Sequence, residues 1–241
     1  MSYLYNKIIY VPLYNGLIFL IDTLPFFDVG VIIVIFTIII KIILLPLSVK
    51  ASKAQIEMKS HEKNLNDIKE KHKDNKEEYG KKQLEYYKEH GINPFSSIFI
   101  LLIQLPILIG LYQIFIKSGL PTIDTNLLYS FVSSPESINM VFLNFISISQ
   151  KSIFLAIIAG VTTYFQASLA STQTKPADSS KQSDFAKVMS VQMKYVLPLF
   201  MAFISYTISS VVAIYLITSN LFAIGQEIYI KRKYHKTTLV V

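Results

Sequence analysis

The run "VGVIIVIFTIIIKIILLPLSVK", Val29 to Lys50, is long and apolar enough to cross a membrane, yet it carries a lysine at position 41. A hydrocarbon core about 30 Å thick requires about 20 apolar residues per helix, so the run predicts a transmembrane helix. A lysine near the centre of such a helix costs about 2.5 to 3.5 kcal/mol on insertion scales. Another part of the molecule must therefore offset the cost of this charge.

Lys41 could be stabilised by snorkelling, by an ion pair or by water. Its Cα lies about 13 Å from that of Lys50 along the helix axis, whereas a lysine side chain reaches only about 6 Å, so snorkelling alone is insufficient. Between the ends of the predicted spans the only acidic residue is Glu227, close to the end of the last one. We therefore expect Lys41 to be kept hydrated inside the bundle.

The whole chain has the composition of a polytopic membrane protein. Of its 241 residues, 52% are hydrophobic, and the 16% that are charged gather in a few blocks. The absence of cysteine excludes disulfides, thiolate catalysis and a cysteine-based zinc site. The net charge of +7 comes from lysines beside apolar runs, which favours membrane topology over direct nucleic-acid binding as its cause.

The apolar segments predict an all-α membrane protein with five transmembrane helices. The region from Tyr195 to Ile230 is too long for one span, and its polar cluster at residues 205–210 indicates a reversal. The predicted spans are residues 27–50, 92–117, 151–170, 191–208 and 209–230. The other segments are an interfacial amphipathic N-terminus (1–26), a charged helical hairpin (51–91), two loops (118–150 and 171–190) and a short basic tail (231–241).

The lysines predict the orientation of these spans. Eleven lysines lie between residues 50 and 90 and more lie in the 171–194 region and the tail, but none lies between Ser118 and Gln150. By the positive-inside rule, the hairpin, the 171–190 loop and the C-terminus are cytoplasmic, and the N-terminus and the 118–150 loop are outside. The expected location is the cell membrane.

Polar residues within the spans are candidates for the wall of a hydrated groove. Thr37, Lys41 and Ser48 share one face of the first span at spacings of four and seven residues. Gln104 and Gln113 lie about 180° apart on the second span, and we favour Gln104 for the groove. Each candidate on the other spans could equally serve only as an interhelical hydrogen-bonding residue. These candidates are Thr162, Thr163 and Gln166 in the third span, and Tyr215, Ser219, Asn220 and Gln226 in the last.

Several of these stretches resemble the YidC/Oxa/Alb family of membrane protein insertases over residues 29–233. They are "IIIKIILLPLSVKASKAQIEM", "GINPFSSIFILLIQLPILIGLYQIF", "INMVFLNFISIS" and "AIYLITSNLFAIGQEIYIKRK". The resemblance implies five helices around a hydrophilic groove that opens to the cytoplasm and the lipid and is closed to the outside. It also implies that Lys41 replaces the usual groove arginine, and that Gln166, Tyr215 and Asn220 occupy groove positions. Leu216 stands where relatives often have tryptophan.

The resemblance implies a function that needs no cofactor, metal or nucleotide: insertion of client membrane segments into the bilayer. We expect the client-binding residues to be Thr37, Lys41, Gln104, Thr163, Gln166, Tyr215, Asn220 and Gln226. Expected partners are nascent membrane proteins and lipids, with the ribosome, the signal recognition machinery and the Sec translocon as further candidates. The alternatives are a small transporter or channel for an anionic solute, and a membrane enzyme, although the spans contain neither His nor paired Asp residues.

Overall fold

The chain is built almost entirely of α-helices in the computed structural model, which confirms the predicted all-α class. The structure describes residues 3–73, 75–91, 96–117, 119–171 and 192–234, so the predicted loop over 172–190 and the tail beyond Tyr234 lie outside it. The helices are α1 (Tyr3–Thr23), α2 (Val29–Ser60), α3 (Glu62–Lys71), α4 (Lys76–Glu89), α5 (Ser96–Tyr112), α6 (Ile153–Ser171), α7 (Leu197–Ile208) and α8 (Ser210–Tyr234). An antiparallel strand pair, β1 (Val141–Phe142) and β2 (Ile146–Ser147), lies between α5 and α6.

By length and composition, three of the described helices could cross a membrane: Tyr3–Thr23, Val29–Ala54 and Ser210–Lys233. Shorter apolar helical segments of 10–17 residues occur at Gln104–Phe115, Ile153–Leu169 and Lys194–Ile208. The interfacial position expected for residues 1–26 rested on polar residues interrupting an apolar run. The helix nevertheless continues without a break, so its position relative to the membrane stays a prediction.

Asn15 shows why a polar residue does not interrupt α1. Its side chain is buried, and its amide nitrogen donates hydrogen bonds to the carbonyl oxygens of Val11 (2.9 Å) and Leu127 (2.8 Å). Its amide oxygen accepts a hydrogen bond from the backbone N–H of Tyr129 at 2.6 Å. A buried amide with both ends satisfied in this way stabilises the attachment of α1 to the loop between α5 and α6.

The helices follow the order α5, α2, α8, α6, α7 across the bundle. Helix α2 packs against both α5 and α8, α8 packs against α6, and α6 packs against α7. Along their described lengths, α5 and α6 do not pack closely against each other. Among the described residues, the bundle is therefore open between α5 and α6, with α2 and α8 behind the opening.

Most of the buried apolar side chains lie at one end of the bundle. The largest fully buried side chains come mainly from the middle of α1, the start of α2, the end of α5 with the residues just after it, and the start of α8: Tyr14, Leu17, Ile18, Ile32, Ile33, Leu111, Ile114, Val211 and Tyr215. At this end, Asp28 accepts hydrogen bonds from the backbone N–H groups of Val31 (2.9 Å) and Leu143 (3.1 Å). The carbonyl of Gln150 likewise accepts from the backbone N–H of Ser210 at 3.0 Å. The loop between α5 and α6 is thus attached over the packed end of the bundle.

Candidate functional site

The opposite end of the bundle contains a cavity of about 130 Å³. Its walls come from the middle of α2, from Gln104 at the middle of α5, from the end of α6 and from the second half of α8. The polar lining residues are Lys41, Ser48, Ser52, Gln104, Gln166, Gln226 and Glu227. The apolar lining residues are Leu44, Leu47, Leu169, Phe222, Ala223 and Ile224. The cavity therefore joins a polar surface to an apolar one between α5 and α6.

Lys41 is held at the inner end of the cavity by a neutral amide. Its ammonium group donates a hydrogen bond to Oε1 of Gln104 at 3.1 Å. The amide nitrogen of Gln104 donates in turn to the hydroxyl oxygens of Tyr215 and of Ser219, the latter at 3.1 Å. Gln104 thereby links the lysine of α2 to the buried face of α8. These bonds fix the direction of the amide dipole, so that its oxygen faces the cation.

Within the described residues, no carboxylate lies at ion-pair distance from Lys41. The positive charge therefore depends on the Gln104 amide and on whatever enters the cavity, because an amide alone does not replace the hydration of an ammonium group. The hydration of Lys41 stays a prediction. This arrangement also leaves the charge available to an acidic group.

A second polar pair lies nearer the lysine-rich helix ends. The hydroxyl of Ser48 contacts Oε1 of Gln226 at 2.9 Å, which connects α2 to α8 a second time. Ser48 follows Lys41 by seven residues, which corresponds to about 10 Å along the helix axis. The polar part of the cavity thus extends over about two helical turns.

Four of the residues predicted for the site lie together, and four do not line the cavity. Lys41, Gln104, Gln166 and Gln226 line it. Thr37 is buried, and its hydroxyl donates to the carbonyl of Ile33 at 2.6 Å within its own helix. Tyr215 is buried behind Gln104. The remaining two predicted residues, Thr163 and Asn220, bind each other between α6 and α8.

Asn220 serves as an interhelical link. Its amide nitrogen donates to the hydroxyl oxygens of Thr162 (3.2 Å) and Thr163 (2.8 Å), and all three side chains are buried. From the sequence, Asn220 could either line the groove or form an interhelical hydrogen bond. The structure favours the interhelical hydrogen bond. Gln113 is also buried and lies outside the cavity lining, as expected from its angle to Gln104.

Replacing Asn220 with alanine is expected to lower the free energy of unfolding by about 1 kcal/mol, the typical size of an interhelical hydrogen bond in a membrane protein. Denaturation with sodium dodecyl sulfate in mixed micelles, followed by circular dichroism, would measure the change. Thr218→Ala is the matched control, because the Thr218 hydroxyl is buried but bonds only within α8, to the carbonyl of Ile214. Equal losses for the two variants would contradict the role of Asn220 as a link.

Comparisons with known proteins agree with this architecture. The family model described as 60Kd inner membrane protein matches residues 21–237. The chain belongs to the YidC/Oxa/Alb family. It is 33% identical over 235 residues to the membrane protein insertase YidC of Fusobacterium nucleatum, covering 97% of this chain and 99% of that protein. It is 32% identical over 234 residues to the YidC of Clostridium tetani, covering 96% of this chain and 95% of that protein.

A relative in Francisella tularensis, also named membrane protein insertase YidC, is 29% identical over 208 residues. The match covers 86% of this chain but 33% of that longer protein. This YidC-family chain therefore corresponds in length to the shorter relatives. The resemblance seen in the sequence motifs is confirmed, as is the assignment to multi-pass membrane proteins.

Two polar residues of the cavity in this YidC-family chain, Ser52 and Glu227, were not predicted from the sequence. Ser52 falls beyond the predicted end of the first span, but α2 continues without a break to Ser60. Glu227 lies near the end of the last predicted span, so the sequence alone does not favour it as a cavity residue. Its position beside Gln226 could have indicated that Glu227 lines a cavity, because adjacent polar residues in an apolar helix indicate a polar environment.

Proposed function

We propose that this protein is a membrane protein insertase that moves client transmembrane segments from the cytoplasm into the bilayer through a hydrated, positively charged groove. The observation that carries the proposal is the position of Lys41, in a cavity, bonded to a neutral amide. The names of the relatives from Fusobacterium nucleatum and Clostridium tetani support insertion as the activity. The groove corresponds to the cavity between α2, α5, α6 and α8.

The cavity would act by lowering the desolvation cost of the client's polar segment. A hydrophilic tail in the hydrocarbon core leaves its backbone groups unsatisfied, at several kcal/mol for each group. In the cavity, amide and hydroxyl groups and water can satisfy them, and Lys41 attracts an acidic side chain. The drive would come from burial of the client's apolar helix in lipid, at about 25 cal/mol per Å². No step requires nucleotide hydrolysis.

The opening between α5 and α6 offers the client a route to lipid. Both helices contribute to the cavity wall, yet they do not pack closely along their described lengths. An apolar client helix could therefore lie in this opening while its polar tail occupies the cavity. The packed core and the attached loop at the other end of the bundle would keep the groove closed to the outside.

The hairpin of α3 and α4 is a candidate surface for receiving clients from the ribosome, the signal recognition machinery or the Sec translocon. The two helices are connected through Tyr86, whose hydroxyl lies 2.7 Å from Nδ1 of His61 and accepts a hydrogen bond from Asn64 at 2.8 Å. Exposed ion pairs such as Lys81 with Glu77 cover its surface, which suits a polar partner or water alone.

Cysteine labelling tests the hydration on which the proposal depends, and the cysteine-free chain provides the background. Gln166→Cys and Gln226→Cys are expected to react with a membrane-impermeant thiol reagent added from the cytoplasmic side. Thr37→Cys and Asn220→Cys are matched controls on the same helix bundle and are expected to react at least about tenfold more slowly, because both positions are buried outside the cavity. Reaction of Gln166→Cys from the outer side alone, or equal rates at all four positions, would contradict a groove open to the cytoplasm.

A further inference from the structure

A carboxylate lies in the same cavity as Lys41. Glu227 lines the cavity, and its side chain is 14% exposed. Its Oε1 atom is buried and accepts no hydrogen bond from the described residues. A buried carboxylate oxygen without a donor is costly, so this atom needs an explanation that helix packing alone does not provide.

Lys231 neutralises Glu227 only in part. The two residues are one helical turn apart on α8, and Nζ of Lys231 lies 3.7 Å from Oε1 of Glu227, beyond hydrogen-bond distance. The same ammonium group donates a bond of 2.7 Å to the carbonyl of Leu169, near the end of α6. Because Lys231 does not reach hydrogen-bond distance of Oε1, that oxygen keeps the capacity to accept a hydrogen bond from another group in the cavity.

The two opposite charges of the cavity occupy different depths. Glu227 follows Gln226, which contacts Ser48, and Ser48 is about 10 Å along α2 from Lys41. The cation is thus at the inner end, beside the packed core, and the carboxylate is nearer the lysine-rich helix ends. An extended chain covers about 10 Å with three residues. A client segment with two opposite charges at this spacing would match both sites.

We propose that Glu227 and Lys41 together recognise an ordered pair of charges in the client's hydrophilic segment. The client's acidic residue binds Lys41, and a lysine or arginine about three residues away donates a hydrogen bond to Glu227. The order matters because the reverse arrangement places like charges together at both ends of the cavity. This inference rests on the proposed insertase function and specifies the class of segment that the groove prefers.

The test uses single-span clients that differ only in their hydrophilic tails. One tail carries Glu and Lys three residues apart, a second carries the same residues in the reverse order, and a third carries Gln instead of Lys. Insertion into liposomes containing the purified protein is measured as protease protection of the tail. The parent protein is expected to insert the order that lets Glu reach Lys41 while Lys reaches Glu227 at least about tenfold better than the reverse order, the factor for a hydrogen bond to a charged group.

Glu227→Gln is expected to abolish this preference, so that both orders of the Glu/Lys tail insert to the same extent. Glu227→Asp, which keeps the charge, is expected to restore the preference. Should Glu227→Gln unfold more easily, Glu227→Lys provides a second test, because it should favour a tail in which Glu replaces the client's Lys. Thermal unfolding monitored by circular dichroism shows whether each variant is folded.

The outcomes separate this inference from the proposed function. If the parent inserts all tails, and neither order is preferred, Glu227 does not select charge order and only this inference fails. The same conclusion follows if Glu227→Gln lowers insertion of the Lys and Gln tails equally. If the parent inserts no tail above the level of protein-free liposomes, the proposed function itself is wrong.

Discussion

Replacing Lys41 with glutamate is expected to reduce insertion of a client with an acidic tail at least about tenfold, whereas Lys41→Arg is expected to retain most of the activity. Two unit charges about 5 Å apart interact by about 3 kcal/mol at an effective dielectric constant of about 20, so a reversal of sign changes attraction into a comparable repulsion. The substituted carboxylate would also face Oε1 of Gln104, which now accepts the hydrogen bond from Lys41. Arginine keeps the charge and adds donors.

Protease protection of the client's tail measures this effect, with purified protein in liposomes and no nucleotide present. Lys50→Glu is the matched control, because Lys50 is on the same helix but exposed, outside the cavity lining. It is expected to insert the client at nearly the parent rate. If Lys41→Glu and the parent insert equally well, the charge in the cavity has no electrostatic role, and the proposed mechanism loses its main support.

The cost of an intramembrane charge made Lys41 the most informative residue of the sequence. Its position predicted a hydrated site, and the family motifs added Gln166. Gln104 and Gln226 could be chosen because a long amide side chain in an apolar helix needs a partner beyond its own turn. The structure places all four at one cavity. The all-α fold class could be predicted because long apolar segments separated by charged loops can form few stable structures in a membrane other than transmembrane helices.

Whether Asn220 and the hydroxyl residues line the cavity could not be predicted from the sequence in the same way. A threonine in a helix can bond the carbonyl one turn earlier, as Thr37 does with Ile33, and then presents no polar group to a cavity. Whether Asn220 meets a cavity or a neighbouring helix depends on the contact between α6 and α8, which one sequence does not contain. The burial of Asn15 could not be predicted for the same reason, because two of its three partners, Leu127 and Tyr129, lie more than 100 residues away in the chain.

A bulky side chain at Gly160 is also expected to have a large effect on stability. Helices α6 and α7 come close together at this residue, which has no side chain. A Cβ atom added at Gly160 would lie 2.9 Å from Cβ of Ala202 and 3.3 Å from the carbonyl oxygen of Pro198. Small residues allow membrane helices to approach closely where no hydrophobic effect drives their association. Gly160→Leu is therefore expected to separate the helices and to lower the free energy of unfolding by about 3 kcal/mol.

The matched control is Gly225→Leu on α8, where an added Cβ would meet nothing within 4 Å. Unfolding with sodium dodecyl sulfate in mixed micelles compares the two variants, and only Gly160→Leu should be strongly destabilised.

A double-mutant cycle identifies the contact: Ala202→Gly removes the methyl group that Gly160→Ala would meet, so the double variant should lose less stability than the sum of the two single variants. Additive costs would mean that α6 and α7 do not approach at this point. Because α6 carries Gln166 at the cavity, a displaced α6 should also lower insertion, even though Gly160 itself is outside the cavity lining.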